Sequence, residues 1–386
     1  MKRAAVNLEE IARRARRRLP RLVVDFVEGG AEDEATLRAN REAFARWALV
    51  PRVLVDVAER NLATCVLGQD LSMPIGLGPA GLARVAHHEG EVAAARAAGE
   101  AGTVFTLSTG SSRTIEEVAD ASNGPVWFQL YLWRDREVIE GLVKRAAAAK
   151  YAALVLTVDV PVIGQRERDL RNGFTLPPRL TPQNAFDMIR RPRWLAGLVR
   201  GTPLTFANFV DVPGRGRSAV ELGKYVNVEM MNPGATWETF EWLRRIWHGP
   251  LAMKGVLHPH DAARAVELGA DGVVVSNHGG RQLDSAVAAL DALPAIADAV
   301  AGRADVLFDS GVRRGTDVVK ALALGAKAVL IGRPYVLGLG ADGAAGVSAV
   351  LDVLRRELDR ALALIGCADA SELTRDFVTR VGEPYI

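Results

Sequence analysis

Twelve residues, VVVSNHGGRQLD (Val273–Asp284), concentrate the chemistry of this chain. Three β-branched residues announce a buried strand, and a base and a cation follow at its end. The His278 imidazole can take a proton near neutral pH. Arg281, three residues on, offers a planar fork that matches a carboxylate. The two glycines between them let a ligand approach the backbone closely. Asp159, in LTVDVP, could pair with the imidazolium and raise the basicity of His278, or it could cap a helix beside Pro161. Arg166 would bring a second cation to the same mouth, or form a surface ion pair. Lys254, in AMKG, is costly to bury unless something anionic meets it. It could form a Schiff base or balance negative charge on a cofactor.

A second constellation reads as an anion site. FDSGVRRGTDVVKALALG and IGRP place Gly311 and Gly332, with Arg313 and Arg333, where backbone N–H groups at helix N-termini could cradle a phosphate. Tight turns alone would also explain these glycines.

The elements that must position these residues come from a weak internal repeat. ARAVELGADGVVVS (263–276) and VKALALGAKAVLIG (319–332) align without gaps, and two looser copies lie at 94–108 and 143–157. Each is the end of a helix, a turn and a short β-branched run, which implies αβ units on a parallel sheet. Eight strand candidates follow: Ile75–Pro79, Val104–Leu107, Val126–Leu130, Leu154–Val158, Leu251–Lys254, Gly272–Ser276, Val306–Asp309 and Val329–Gly332. Eight units predict an α/β fold of the (β/α)8 TIM-barrel type, with a doubly wound open sheet as the competitor. Polar or glycine residues close every strand: GPAG (78–81), Ser108, Gln129 with Tyr131, Thr157 with Asp159, Lys254, Ser276 with His278, Asp309 with Arg313, and Gly332 with Arg333. In a barrel those ends form one ring, where active sites sit, and phosphate commonly binds after strands seven and eight.

The expected organisation is a single domain over 1–386. It has a helical segment over 1–70, a barrel over 71–345 interrupted by an insertion at about 177–235, and C-terminal helices over 346–386. The chain carries 48 basic and 46 acidic residues, a net charge of +2 that argues against a nucleic-acid partner. The run RRARRRLPR (13–21) reads as a solvated helix face ended at Pro20. Cys65 and Cys367 match no metal spacing, so no metal is expected, and they fit a reducing cytoplasm. No run of 18 uninterrupted apolar residues and no signal-peptide core is present.

With these residues assembled, the chain resembles the FMN-dependent 2-hydroxy acid dehydrogenase and oxidase family, which includes glycolate oxidase, L-lactate dehydrogenase and mandelate dehydrogenase. SNHGGRQLD, LPRLVVDFVEGGAEDE, WFQLY, LTVDVP, MKG, SGVRRGTDVVKALALGA and IGRP agree in order and spacing, and the mandelate and L-lactate dehydrogenase branches look most alike. The resemblance implies FMN in the barrel mouth, with Ala80 and Gly81 contacting it through backbone and Ser108, Gln129, Thr157 and Ser276 beside it. Lys254 would lie near the flavin, and Asp309, Gly311, Arg313, Gly332 and Arg333 would hold the ribityl chain and phosphate. Arg281 and Arg166 would bind the carboxylate of a small 2-hydroxy acid, Tyr131 its hydroxyl, and His278 would be the base with Asp159 as its partner. The family usually has tyrosine where this chain has Phe26, so a donor to the substrate carboxylate is lost. Gly110 stands where some relatives carry a bulky tryptophan, which opens space for a larger substrate side chain. Gly81 is alanine in many oxidase members, and glycine resembles the dehydrogenases.

In this family the segment after strand four attaches several members to the membrane, where quinone takes the electrons. Here Met188, Ile189, Trp194, Leu195, Leu198, Val199, Phe206 and Phe209 are interleaved with Arg190, Arg191, Arg193 and Arg200. That composition suits a membrane surface contacted through 188–210, on the cytoplasmic face, with a lid or a subunit contact as alternatives. The resemblance also implies a homotetramer.

Overall fold

The computed structural model describes residues 4–174, 181–200, 204–209 and 231–382. The parts of the expected insertion at 177–180, 201–203 and 210–230 lie outside them. Eight parallel strands close into a barrel in chain order: β1 (Ile75–Leu77), β2 (Phe105–Ser108), β3 (Val126–Tyr131), β4 (Ala153–Thr157), β5 (Leu251–Val256), β6 (Gly272–Val275), β7 (Asp305–Phe308) and β8 (Ala328–Ile331). Strand β8 returns to pair with β1 through Val329 and Ile75, so the open-sheet alternative is excluded.

Side-chain alternation along each strand sorts the residues. Trp127, Ala153, Val155, Ala252, Val274, Leu307, Ala328 and Leu330 form one buried cluster, while Phe128, Leu154, Leu156, Val273 and Val275 belong to the larger core beneath the surrounding helices. Two residues beyond the first set, on the same face, come Gln129, Thr157, Lys254, Ser276, Asp309 and Gly332. The barrel interior is therefore apolar below and polar at its carboxyl rim. A hairpin of Thr64–Val66 and Gln69–Leu71 contributes Val66, Leu67 and Leu71 to the interior cluster, held by Leu67 N–H donating to Asp305 Oδ2 at 2.7 Å.

Among the described residues three helices precede the barrel: α1 (Leu8–Arg18), α2 (Arg21–Glu28) and α3 (Ala35–Ala45). The helical reading of the first seventy residues holds only to Ala45. Beyond it Trp47–Leu49 pairs antiparallel with Val378–Arg380, and the hairpin follows. The strand at 378–380 likewise means that the C-terminal stretch is not all helix. Within α1, Ile11, Ala12 and Ala15 are buried while Arg13, Arg14 and Arg17 are exposed, a solvated arginine face as the sequence suggested. The α2–α3 region lies over the carboxyl rim. Ala31 N–H donates to Gly280 O at 2.8 Å, Thr36 N–H to Asp284 Oδ1 at 2.7 Å, and the Asn40 and Asn277 amides bond reciprocally at 2.8 and 2.7 Å.

The insertion supplies a helical hairpin, α4 (Pro182–Ile189) and α5 (Pro192–Arg200), docked on the N-terminal helices. Arg21 N–H donates to Asp187 Oδ2 at 2.6 Å, and Arg191 to Arg17 O at 2.6 Å. Among the described residues one helix, α6 (Arg333–Ile365), is long and apolar enough to cross a membrane by length and composition. Its apolar window is 67% buried, and it bends at Asp342 and Gly343, where the backbone leaves helical geometry, so it packs as a core helix.

Candidate active site

The carboxyl rim opens into a cavity of about 810 Å3. Of the residues expected at the site, Phe26, Ala80, Gly81, Ser108, Gly110, Tyr131, Arg166, Lys254, His278, Arg281, Asp309, Gly311, Arg313, Gly332 and Arg333 line it. Asp159, Gln129, Thr157 and Ser276 are not among the lining residues but bond or pair with residues that are. Asp159 bonds His278, Ser276 bonds Lys254, Gln129 Oε1 accepts from Ser108 Oγ at 3.0 Å, and Thr157 is the register partner of Tyr131 and Lys254.

His278 follows β6 in the left-handed region (φ 58°), as do Gly279 and Gly280. The chain therefore turns sharply off the strand and lifts the imidazole into the cavity. Ser276 Oγ accepts the His278 N–H at 3.0 Å, and Asp159 Oδ1 lies 3.0 Å from His278 Nδ1. The carboxylate thus fixes the ring and leaves Nε2 for a substrate. The sequence suggested that Asp159 would raise the basicity of His278. Asp159 does pull the imidazolium up, by charge and by hydrogen bond, but burial pushes it down by more, so the net direction is downward. Asp159 itself would be pushed up by burial, but His278 and Lys254 hold it below the ordinary carboxylate value. A neutral, oriented imidazole beside an ionised carboxylate is a base ready to accept a proton.

Lys254 is 4% exposed in its side chain and meets the anion its burial demands: Asp309 Oδ2 at 3.0 Å, with Ser276 Oγ at 2.8 Å. Burial opposes its charge, but Asp309 and Asp159 outweigh that and raise it, so Lys254 is a cation rather than the neutral amine a Schiff base needs.

Four guanidiniums face the same cavity. Among the described residues none of Arg166, Arg281, Arg313 and Arg333 has a carboxylate within salt-bridge distance. Burial lowers all four, Arg313 to about 9 and Arg333 to about 10; repulsion from neighbouring guanidiniums adds to it at Arg281, Arg313 and Arg333, while Asp169 partly offsets it at Arg166 and Arg281. Such a cluster favours anionic ligands. Two of the four also close the end of α2, whose last carbonyls have no helical partner. Arg281 Nη1 donates to Phe26 O (2.8 Å) and Gly29 O (3.0 Å). Arg333 donates to Val27 O (3.1 Å), Gly29 O (2.7 Å) and Gly279 O (2.7 Å). Every nitrogen of Arg333 is thereby engaged with backbone, which makes it first a clasp between α2 and the β6 loop.

Steric space accounts for two glycines. A Cβ on Gly311 (φ 99°) would lie 2.3 Å from Asn40 O of α3, and one on Gly81 would lie 2.9 Å from Gly110 O. Among the described residues nothing lies within 4 Å of a Cβ on Gly332, which leaves open space at the end of β8. Gln129 Nε2 and Thr157 Oγ1 are buried without hydrogen-bond partners among the described residues. Unsatisfied polar groups at the base of a large cavity, an arginine cluster and the open turn at Gly332 fit a planar, polar-edged ring carrying a phosphate.

The insertion behaves differently from its composition. Of the residues expected at a membrane surface, Met188, Phe206 and Phe209 are buried, and Trp194 is half-buried with its Nε1–H donating to Val85 O at 2.7 Å. Ile189 and Val199 are exposed, as is Phe186 of the same hairpin. The space expected at Gly110 is faced by Phe206, whose ring lies 3.6 Å from where a Gly110 Cβ would stand. Phe174 also lines the cavity, its ring stacked on Phe26 at 4.1 Å and 13°.

Sequence reasoning passed over Asn40, Asn277, Gln282, Ser310 and Phe174. Ser310 Oγ accepts from Gly279 N–H at 3.0 Å, and Gln282 Nε2 donates to Asp159 O (3.3 Å) and Val162 O (3.0 Å). Asn277 and Gln282 flank His278 and Arg281, and that adjacency was the available signal.

Comparison with known proteins gives one consistent picture. A family described as FMN-dependent dehydrogenase matches residues 15–380. L-lactate oxidase of Nostoc sp. is 48% identical over 97% of this chain and 98% of its own. (S)-Mandelate dehydrogenase of Pseudomonas putida is 44% identical over 97% and 94%. The crystal structure of the monotopic membrane protein (S)-mandelate dehydrogenase superposes with a TM-score of 0.93 at 43% identity, covering 98% of this chain and all of that one.

Proposed function

This chain belongs to the FMN-dependent dehydrogenases that oxidise 2-hydroxy acids, and from that premise we propose that it converts a lactate- or mandelate-like L-2-hydroxy acid to the 2-oxo acid with His278 as base. The observation that carries this reading is the convergence of the His278–Asp159 pair with two guanidiniums, Arg166 and Arg281, that no carboxylate among the described residues salt-bridges, on one cavity. The guanidiniums neutralise the substrate carboxylate and fix its orientation. Tyr131, whose ring lies parallel to His278 at 6.5 Å, holds the substrate hydroxyl. His278 accepts the proton from the hydroxyl or the α-carbon, and Asp159 stabilises the imidazolium that forms.

FMN, when bound, supplies the acceptor for the two electrons that leave the substrate. Ala80, Gly81, Ser108, Gln129, Thr157 and Ser276 would sit against its ring. Lys254 would balance negative charge there, and Asp309, Gly311, Arg313, Gly332 and Arg333 would hold its ribityl and phosphate groups. The test is anaerobic bleaching of the purified flavoprotein by a panel of lactate, glycolate, mandelate and long-chain 2-hydroxy acids. Full bleaching by at least one is expected, and its abolition in His278→Gln with FMN retained. Bleaching that survives His278→Gln would reject the assignment of the base.

The electron acceptor we favour is a quinone at the inner face of the cell membrane, with the protein peripheral there. Exposed Phe186, Ile189 and Val199 beside Arg190 and Arg193 support it, since apolar and basic residues together suit an interface. Replacing 188–210 by a short polar loop should release the protein from membranes; persistent pelleting would reject this. The 48% identity to an L-lactate oxidase favours a second reading, oxygen as acceptor. Admitting oxygen to the bleached enzyme distinguishes them: rapid recolouring supports the oxidase and slow recolouring the dehydrogenase. One folded domain over 1–386 and a homotetramer complete the proposal. Val53 and Leu54, 82% and 104% exposed, give such an assembly an apolar contact, and light scattering would measure it.

A further inference from the structure

We propose that Phe206, contributed by the insertion, is a specificity-determining residue that forms the wall against the substrate's side chain and sets the largest group accepted. The inference rests on the 2-hydroxy acid reading of the cavity. Phe206 lines that cavity, is 9% exposed, and would be in van der Waals contact with any Cβ placed on Gly110. It is held in place as firmly as a core residue. Ala207 N–H donates to Ser111 O at 3.0 Å, Ile115 N–H to Asn208 Oδ1 at 2.9 Å, and Arg145 Nη1 to Asn208 O at 3.1 Å. The Phe209 ring packs on Trp133 at 4.4 Å and is fully buried. The short turn Ala207–Phe209 is therefore pinned to the loop after β2, to the helix that follows it, to the loop after β3 and to the helix after that. A wall fixed by that many contacts defines a volume instead of yielding to whatever enters.

The chemistry of the wall names the group it takes. Carboxylate recognition belongs to the guanidiniums. The rest of the substrate meets Phe206, Met231 and the Phe26–Phe174 stack, all apolar and three of them aromatic. That surface suits a flat or branched apolar side chain and penalises a polar one.

The experiment compares Phe206→Ala and Phe206→Trp with the parent holoenzyme. The first readout is binding of two non-reacting 2-oxo acids, pyruvate and benzoylformate, followed by perturbation of the flavin absorption. The second is steady-state turnover of lactate, mandelate and 2-hydroxyoctanoate, resolved into kcat and KM. Phe206→Ala should shift the benzoylformate-to-pyruvate affinity ratio by about tenfold against the aromatic acid, and should raise the catalytic efficiency toward 2-hydroxyoctanoate relative to lactate. Phe206→Trp should move the ratio against both larger acids. Equal shifts for every acid would show a merely structural role and overturn the proposal, as would no shift. If Phe206→Ala fails to fold, Phe206→Leu should give the same direction at smaller size, and an unchanged ratio there is equally fatal. Failure of the underlying reading looks different, because then no 2-hydroxy acid bleaches the parent enzyme.

Discussion

Replacing Asp159 by asparagine isolates the charge that stands behind the base. The two groups are 3.0 Å apart, with side chains only 12% and 19% exposed, so solvent screens the pair weakly. Two unit charges with centres about 4 Å apart, at an effective dielectric near 20, interact by about 4 kcal/mol. Asparagine keeps the shape and part of the dipole, so the loss of imidazolium stabilisation should be about 2–3 kcal/mol, or about 30- to 150-fold in the proton-transfer step. The sign of the pH effect follows from the opposing influences on His278. Burial pushes its proton affinity below the ordinary imidazole value and Asp159 pulls it back up. Without the carboxylate the affinity falls further. The base then stays neutral to lower pH, and the acid limb of the kcat profile moves to lower pH. Stopped-flow reduction by the best substrate, across pH and at equal FMN content, measures both quantities. A rate within threefold of the parent, or an acid limb that moves up, would refute the role given to Asp159.

Three further changes follow from the geometry. Phe26→Tyr restores a hydroxyl on a ring that lies 5.2 Å from the Arg281 guanidinium, and should lower KM about fivefold, from about 1 kcal/mol, with FMN affinity unchanged; an unchanged KM counts against it. Gly81→Ala puts a methyl 2.9 Å from the Gly110 carbonyl that already accepts from Leu82 N–H at 3.0 Å, so the Gly110 loop must move; KM should rise and the denaturation midpoint fall, and identical values for both would show that the loop gives freely. Gly311→Ala combines φ 99° with a 2.3 Å clash against Asn40 O, and should cost about 2–3 kcal/mol in urea unfolding together with weakened FMN retention, whereas parent-like stability would mean that α3 does not press on this turn.

The sequence by itself determined the barrel and most of its rim. Eight short apolar runs and the repeat of helix, turn and strand are local signals, and alternation along each strand already implies that Gln129, Thr157, Lys254, Ser276 and Asp309 share a face with the barrel's interior residues. The motif residues His278 and Arg281 were legible for the same reason, since they follow directly from the end of a strand. Tertiary structure alone decided what lies over that rim. Phe26 and the carbonyls of α2 reach Arg281 and Arg333 across more than 250 residues of sequence, and Asn40 meets Asn277 across 237. The insertion looked interfacial by composition, yet it divides into an exposed hairpin bearing Ile189 and Val199 and a buried turn bearing Phe206 and Phe209. Composition counts apolar residues but not the direction they face, and that direction is set by what the chain packs against. The proton affinity of His278 escapes the sequence for a related reason: a partner charge is visible there, whereas burial, which here outweighs it, exists only once the chain has closed around the ring.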